Sequence, residues 1–307
     1  MLKQEPFMRT KNNLLALAGR YANERRVPVA TVLKEILHYE ILFALNQSGA
    51  ATRLTFQGGT SLRLCHQGTR YSEDLDFVGG TEFDPAEMTP FADLLQREIG
   101  EAYGLQVDIL APKSEEGAED AGHGIAVARW RARVHVPQAI PSLAQKHVIN
   151  IEVAGVPAHS RDLLPVAANY DHLPAPHRQM LVVVEPLPEI LADKLVALSA
   201  RPFLKARDIW DLKFLTDKGV KLDDDVISLV VAKVADYKLH KAAMKQKLEE
   251  RSHVLASPES EAAFLTEMRR FVDATVAAQL EIPGMARQYL ERGAALAREL
   301  LSMRAME

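Results

Sequence analysis

Apolar and polar positions recur along this chain with two different periods, and the change between them divides it into two parts. Apolar residues recur at helical spacing over residues 12–48. Short apolar or alternating runs, bounded by glycine or proline, then predict strands at 54–57, 75–78, 106–110, 125–136, 148–153 and 182–185. Between them the pattern predicts a short helix over 61–66 and a longer one over 85–103. The first part is therefore predicted to be a mixed α/β (α+β) fold.

Strand signals end close to residue 190, and beyond it only helical spacing remains. Helices are predicted over 189–200, 206–217, 223–236, 239–251, 258–278 and 283–303. We therefore expect two domains: an α/β lobe with N-terminal helices over residues 1–188, and an α-helical lobe over 189–307. Loops are expected at 114–124 and at 137–141.

Two neighbouring segments of the α/β part carry the residues best suited to chemistry. Residues 56–62 read FQGGTSL, so a short apolar strand leads into two glycines and two hydroxyl residues. Gly58 and Gly59 allow a phosphate group to approach the backbone, and the first N–H groups of a helix after them can bind it. Thr60 and Ser61 add hydroxyl groups at the same turn. Alone, a pair of glycines is more often an ordinary turn, so the phosphate-binding interpretation depends on the acidic residues of the second segment.

The second segment, residues 70–77, reads RYSEDLDF and places two carboxylates on one strand. Asp74 and Asp76 are two positions apart, so on a strand their side chains point to the same face. The apolar residues Leu75 and Phe77 point to the opposite face. Two adjacent carboxylates repel each other unless a cation lies between them, and oxygen ligands suit Mg²⁺. A phosphate-binding turn followed by metal-binding carboxylates predicts nucleotidyl transfer.

Charge and composition narrow the class of protein further. The net charge of −4 over 307 residues gives no overall positive field, so a polyanionic partner would need a local basic patch. The single cysteine, Cys65, excludes an internal disulfide and is typical of a reducing cytoplasm. We expect a cytoplasmic protein without a membrane partner, because no leader-like or membrane-spanning segment is recognisable. The sequence also lacks the P-loop, H-E-x-x-H and C-x-x-C motifs.

The runs GGTSLRL and RYSEDLDF together resemble the first motif of the AbiEii/AbiGii toxin family, a branch of the DNA polymerase β-like nucleotidyltransferases. The S-x-D-h-D form, in which h is apolar, extends here from Ser72 to Asp76 and is similar to the toxin branch. The resemblance implies a polymerase-β-like core with a mixed sheet, followed by an α-helical lobe. It implies Mg²⁺ or Mn²⁺ as cofactor, held by Asp74 and Asp76. Ser72 is then a candidate hydrogen-bonding residue near the metal, or the acceptor of a self-modifying reaction.

The wider superfamily uses a third carboxylate from a neighbouring strand, and two residues are candidates. Residues 147–153 alternate, so Glu152 shares a face with Asn150 and reaches Asp74 and Asp76 if its strand pairs nearby. Asp108 is the competing candidate. The family often has a lysine at the position of Asn150, so this departure leaves the role of Asn150 open.

The helical part contains a second segment that is similar to a later motif of the same family. It reads ILADKLVAL from residue 190 and RDIWDL from residue 207. In that motif a lysine and a downstream aspartate are functionally required. The resemblance assigns the lysine to Lys194, which lies beside an apolar helical stripe and would hold the triphosphate in the cleft. It assigns the aspartate to Asp208, with Asp211 as the alternative.

The resemblance implies a nucleotidyltransferase toxin of a toxin–antitoxin or phage-defence system, with a cognate antitoxin as partner. Such an enzyme transfers NMP from a nucleoside triphosphate to an RNA acceptor, here expected to be the 3′ end of tRNA. Arg201, Lys205 and Arg207 are candidate contacts to the RNA backbone, although charged helix faces are more often only solvated. The alternatives are a protein AMPylase or UMPylase, a nucleotide-binding regulator without turnover, and an interaction protein. The retained carboxylates and Lys194 favour an enzyme.

Overall fold

A computed structural model of the chain describes residues 9–112, 125–136, 143–171 and 173–303. These residues form two compact units. The first contains the described residues up to 112 and those within 127–155 and 162–184. The second contains residues 125–126, 156–161 and 185–303. The loops expected at 114–124 and 137–141 lie outside the described residues.

The first unit is built on a seven-stranded sheet. Its strands are β1 (Thr55–Gln57), β2 (Leu75–Val78), β3 (Gln106–Leu110), β4 (Val127–His135), β5 (Lys146–Ala154), β6 (Asp162–Pro165) and β7 (Leu181–Val184). Its α-helices are α1 (Lys11–Arg25), α2 (Val29–Gln47), α3 (Gly58–Cys65), α4 (Thr89–Leu95) and α5 (Ala175–Arg178). Shorter helical segments are the 3₁₀ turns Ala50–Thr52 and Pro85–Met88 and the π-helical stretch Gln96–Glu101.

The strands lie in the order β3-β4-β5-β2-β1-β7-β6, and the sheet is mixed. Strand β2 is parallel to β5, and β1 is parallel to β7, whereas the other neighbours are antiparallel. Leu75 and Phe77 of β2 are buried, as are Ile149 and Ile151 of β5, while the residues between them are half-buried. This alternation confirms the predicted fold class, a mixed α/β core followed by helices.

Helix α2 carries ionisable side chains into the core of the first unit. Glu40 is fully buried and forms an ion pair with Arg9. It also accepts a hydrogen bond of 2.5 Å from the hydroxyl of Tyr103 and lies 2.9 Å from Nε2 of His177. Burying a carboxylate is tolerated when it is paired and hydrogen-bonded in this way.

The second unit is helical. Its helices are α6 (Leu187–Ala200), α7 (Ala206–Asp217), α8 (Asp224–Asp236), α9 (Lys241–Ala256), α10 (Glu259–Met268), α11 (Ala274–Leu280) and α12 (Met285–Leu301). Helix α12 buries Leu290, Leu296 and Leu300 at helical spacing, which makes it a core helix with one apolar face. Trp210 of α7 is buried and stacks on Tyr289 of α12, with ring centroids 4.6 Å apart.

A buried cluster of one lysine and three carboxylates lies within the second unit. Lys233 of α8 is 1% exposed, and its Nζ lies 3.0 Å from Glu185, 3.0 Å from Glu189 and 2.9 Å from Asp193. Burial, reinforced by the charge of Asp193, raises the pKa of Glu185 well above its ordinary value despite Lys233. The pKa of Glu189 is lowered, because Lys233 and hydrogen bonds from residues 159–160 outweigh its burial. Within one cluster the pKa values of these two glutamates are therefore shifted in opposite directions.

Several element boundaries differ from the sequence prediction. Strand β6 was not predicted, because its Leu163 is 61% exposed and the run therefore lacks a burial pattern. The segment predicted as one helix over 85–103 changes from 3₁₀ to α and then to π geometry. The helix predicted over 258–278 is interrupted, since the side chain of Asp273 accepts a hydrogen bond from the N–H of Val276 and starts a new helix. None of the described helices is long and apolar enough to cross a membrane.

Candidate functional site

Asp74 and Asp76 lie at the start of β2, in the middle of the sheet. Asp74 immediately precedes the strand and Asp76 is its second residue, and both are half-buried. Since Leu75 and Phe77 between and after them are buried, the two carboxylates share the other face of the strand.

Asp74 is positioned by two neutral groups. The side-chain amide of Asn150 on β5 donates a hydrogen bond of 2.9 Å to Oδ1 of Asp74. The hydroxyl of Thr60 on α3 donates to the backbone carbonyl of Asp74. Neither partner carries a positive charge, so both orient Asp74 without neutralising it. Asn150, whose role the sequence left open, therefore fixes the Asp74 carboxylate.

The strand register separates the two candidates for a third carboxylate. Glu152 on β5 is directly opposite Asp76 on β2. Asp108 is on β3 at the edge of the sheet, with β4 and β5 between it and β2. With neighbouring strands about 4.8 Å apart, the separation across the sheet alone puts Asp108 at least roughly 14 Å from the position of Asp76. Glu152 accepts a hydrogen bond of 2.7 Å from Nε of Arg129, and Asp108 lies 2.7 Å from Nε2 of His135.

The carboxylates provide an all-oxygen donor set, which is the type that Mg²⁺ and Mn²⁺ prefer. Within the part of the chain that is described, no three His, Cys, Asp or Glu side chains are already grouped to hold a metal ion. Glu152 is turned toward Arg129, whereas Asp74 and Asp76 share one strand face, where they would hold such a cation. Glu152 would join them by exchanging Arg129 for the metal.

The two glycines that begin α3 lie against side chains of the segment that carries the carboxylates. Gly58 has a φ of +77°, and a Cβ on it would lie 2.7 Å from Oδ2 of Asp76. A Cβ on Gly59 would lie 2.9 Å from Cζ of Arg70, whose guanidinium is buried against the turn. Such distances are too short for a methyl group, so a larger residue at either position would force the Asp76 or Arg70 side chain to move.

Helix α3 begins at this turn, and no side chain caps its N-terminus. Its first residues, 58–61, have N–H groups without an intrahelical partner, which makes this end suited to an anion. The hydroxyl of Thr60 is already used on Asp74, and the hydroxyl of Ser61 is buried without a hydrogen-bond partner among the described residues. Both residues are therefore suited to contact a phosphate through their N–H groups. Ser72 is half-buried.

A buried ion pair holds α3 in place. Arg63 of α3 donates to both carboxylate oxygens of Glu35 on α2, at 3.0 and 3.3 Å, and to the carbonyl of Gly68 at 3.1 Å. Burial of Arg63 lowers its pKa, but the charge and hydrogen bonds of Glu35 outweigh this and raise it. Asn169 completes the pair by donating 3.0 Å to Glu35. This ion pair fixes α3, the helix whose first turn faces Asp74 and Asp76.

In the second unit, Lys194 of α6 lies between two aspartates of α7. Its Nζ is 2.9 Å from Oδ1 of Asp208 and 2.7 Å from Oδ2 of Asp211. All three residues are buried, and Arg201 forms a further ion pair with Asp208. Asp208 and Asp211 are three positions apart on a helix, so they share the face that meets Lys194. Both aspartates between which the sequence left a choice therefore contact the lysine.

For some contributing residues the sequence gave no clear sign of their role. Arg129 and Asn150 act through strand pairing, which is a long-range relationship that a single sequence does not specify. Arg70 belongs to the RYSEDLDF run, but its burial against Gly59 depends on how the chain returns from α3 to β2. A charged residue in a polar run gives no sign of burial, so the sequence alone could not single it out.

The match to a family model defines the class of protein as a nucleotidyltransferase. The family model of the nucleotidyl transferase AbiEii toxin, of type IV toxin–antitoxin systems, matches residues 40–284. The chain therefore belongs to the AbiEii nucleotidyltransferase toxin family, which implies a nucleotide substrate and an antitoxin. None of the curated proteins matches the chain.

Two solved structures from Helicobacter pylori are similar to this chain at low identity. One is described as a candidate nucleotidyltransferase and is 17% identical to this chain, with a TM-score of 0.45. The match covers 87% of this chain and 93% of the chain of that structure. The other is JHP933, which is 16% identical with a TM-score of 0.44, covering 90% of this chain and 94% of its own.

Proposed function

We propose that this protein is a metal-dependent enzyme that transfers NMP from a nucleoside triphosphate to the 3′ end of tRNA in the cytoplasm. Its cognate antitoxin would restrain this activity in a toxin–antitoxin or phage-defence system. One observation carries the proposal: Asp74 and Asp76 share a strand face beside α3, a helix start that has no capping side chain. Carboxylates and free N–H groups together supply ligands for a metal and for the phosphates of a nucleotide.

Each group at the start of β2 has a distinct part in this reaction. Asp74 and Asp76 would hold Mg²⁺ or Mn²⁺, with Glu152 as a third ligand. When bound, the metal supplies charge neutralisation and alignment for in-line attack on the α-phosphate. Asn150 and Thr60 keep Asp74 in its orientation. The N–H groups of residues 58–61 bind phosphate oxygens, which the absence of side chains at Gly58 and Gly59 lets approach the backbone.

Lys194 is assigned to the triphosphate. A buried ammonium neutralises negative charge as pyrophosphate leaves, more strongly than a solvated one. Asp208 and Asp211 orient Lys194, and Arg201 offsets the second carboxylate charge. Ser72 either hydrogen-bonds near the metal or accepts a nucleotide in a self-modifying reaction.

Purified protein incubated with each α-labelled nucleoside triphosphate and total cellular RNA tests the proposal. We expect label on RNA of tRNA size, dependent on Mg²⁺ or Mn²⁺ and lost in Asp76→Asn. Label on a protein band without label on RNA would favour AMPylation or UMPylation. Binding of a triphosphate without transfer to either acceptor would favour a regulator and contradict the proposal.

A further inference from the structure

One exposed aromatic side chain stands apart from the other large apolar residues of the surface. Phe203 is 60% exposed, and it is the only aromatic residue among the large exposed apolar side chains of the described residues. It lies in the segment of residues 201–205 between α6 and α7. Exposing a phenylalanine ring to water is unfavourable, and such rings are more often found in cores.

The backbone that presents this ring is anchored to the helices around it. Arg251 of α9, itself 6% exposed, donates hydrogen bonds to the carbonyls of Arg201 at 3.2 Å and Pro202 at 2.9 Å. Arg201 is also tied to Asp208 through its guanidinium. Phe203 therefore comes directly after two residues that are held in place by hydrogen bonds or an ion pair. Its ring is exposed on an anchored segment.

A lysine ammonium lies next to the ring. Nζ of Lys205 lies 6.0 Å from the centroid of Phe203. The pKa of Lys205 is lowered, first by burial and then by the nearby charge of Arg201, and these outweigh the opposing charge of Asp208. Arg207 and Lys194 lower it further. Cations that repel each other in this way attract a polyanion, since its phosphates relieve the repulsion. No ion pair of Lys205 with a carboxylate occurs in the described part of the chain.

We propose that Phe203 is a stacking platform for an unpaired base of the RNA acceptor, with Arg201 and Lys205 on the adjoining phosphates. This inference rests on the proposed function, which it deepens by naming how the acceptor is held. An aromatic ring next to cations is the combination by which proteins bind single-stranded nucleic acid, and every base offers a face for stacking. A duplex has no unstacked base to offer, so the platform selects a single-stranded end.

Binding of an unstructured RNA 12-mer and of a matched duplex to the full chain at low salt tests the platform. Phe203→Ala should weaken binding of the single strand about tenfold, the size expected for one stacked base. Phe203→Leu should weaken binding as much as Phe203→Ala does. Phe203→Trp should bind RNA as tightly as wild type, and its fluorescence should fall when RNA is added. Ile282→Ala is the matched control, because Ile282 is 54% exposed in the same unit and should leave binding unchanged.

Transfer to total RNA, measured on the same variants, separates failure of the platform from failure of the proposed function. If wild type labels RNA and Phe203→Ala labels and binds it equally well, the platform is overturned while the proposed function stands. If wild type labels protein alone but binds single strands through Phe203, RNA is not the acceptor, and the proposed function is overturned although Phe203 still binds RNA. Phe203-dependent binding of an antitoxin with no binding of RNA would overturn the platform.

Discussion

The guanidinium of Arg70 occupies the space beside Gly59 that any side chain at that position would need. Cζ of Arg70 lies 2.9 Å from the position of a Cβ on Gly59. Arg70 is 4% exposed and donates a hydrogen bond of 2.9 Å to the carbonyl of Tyr71. The glycine turn at the start of α3 and the segment that leads into β2 are thus fitted to each other.

This fit predicts that Gly59→Ala destabilises the first unit and abolishes transfer. The added methyl group must displace the guanidinium, which costs about 1–3 kcal/mol of unfolding free energy. In an Arg70→Ala background the same change should cost much less, so a double-mutant cycle by denaturant unfolding isolates the clash. Gly19→Ala serves as control, because no atom lies within 4 Å of its Cβ position on α1. Equal costs of Gly59→Ala in both backgrounds would contradict the clash.

The register of the sheet predicts which carboxylates matter to the reaction. Asp74→Asn and Asp76→Asn should lower transfer about a hundredfold or more, since each removes charge from the metal ligands. Asp108→Asn, on the edge strand, should stay near wild type. Thermal unfolding provides a second readout, because Mg²⁺ should raise the Tm of wild type and of Asp108→Asn. A Tm increase of normal size in Asp76→Asn would remove that residue from the metal site.

Lys194 is predicted to support stability as well as activity. Lys194→Met leaves the buried carboxylates of Asp208 and Asp211 without their shared cation, and breaking such a pair costs about 3–5 kcal/mol. Adding Asp211→Asn should restore a large part of this stability, because one fewer buried charge remains. Transfer and triphosphate binding should remain low in the double variant. Recovery of activity together with stability would reassign Lys194 to a structural role.

The Lys233 cluster predicts opposite pH dependences for two neighbouring glutamates. The pKa of Glu185 is raised in the folded protein, so its contribution to stability is present below about 4.5, its ordinary value, and is lost as pH rises. Glu185→Gln should therefore gain stability relative to wild type as pH rises from 4.5. The pKa of Glu189 is lowered, so Glu189→Gln should show its largest deficit above 4.5 and recover toward lower pH.

Denaturant unfolding of both variants across this pH range measures these differences. Parallel curves for Glu185→Gln and Glu189→Gln would show that the cluster titrates as a single group. The pairing of Lys233 with both residues makes the contrast informative. Burial and the charge of Asp193 raise the pKa of Glu185, whereas Lys233 and hydrogen bonds from residues 159–160 outweigh burial and lower the pKa of Glu189.

Local patterning accounts for what the sequence predicted well. The two-residue period placed Asp74 and Asp76 on one face, and the glycine turn marked the start of α3, because both depend on neighbouring residues alone. The choice between Glu152 and Asp108 depended on strand order, which is set by contacts far apart in the chain. The sequence does not predict the exposed edge strand β6 for a related reason. This segment is a strand because it pairs with β7, and it has no buried face that a sequence pattern would show.

The two tryptophans lie in different units, so intrinsic fluorescence can follow each unit separately. Trp130 is 2% exposed beside Phe83 in the first unit, and Trp210 is 4% exposed against Tyr289 in the second. The chain contains no other tryptophan. Trp130→Phe and Trp210→Phe would each leave a single fluorophore whose emission shifts to the red when its own surroundings open to water. Paired melts of these variants would show whether nucleotide and metal stiffen the carboxylate-bearing unit, the lysine-bearing unit, or both.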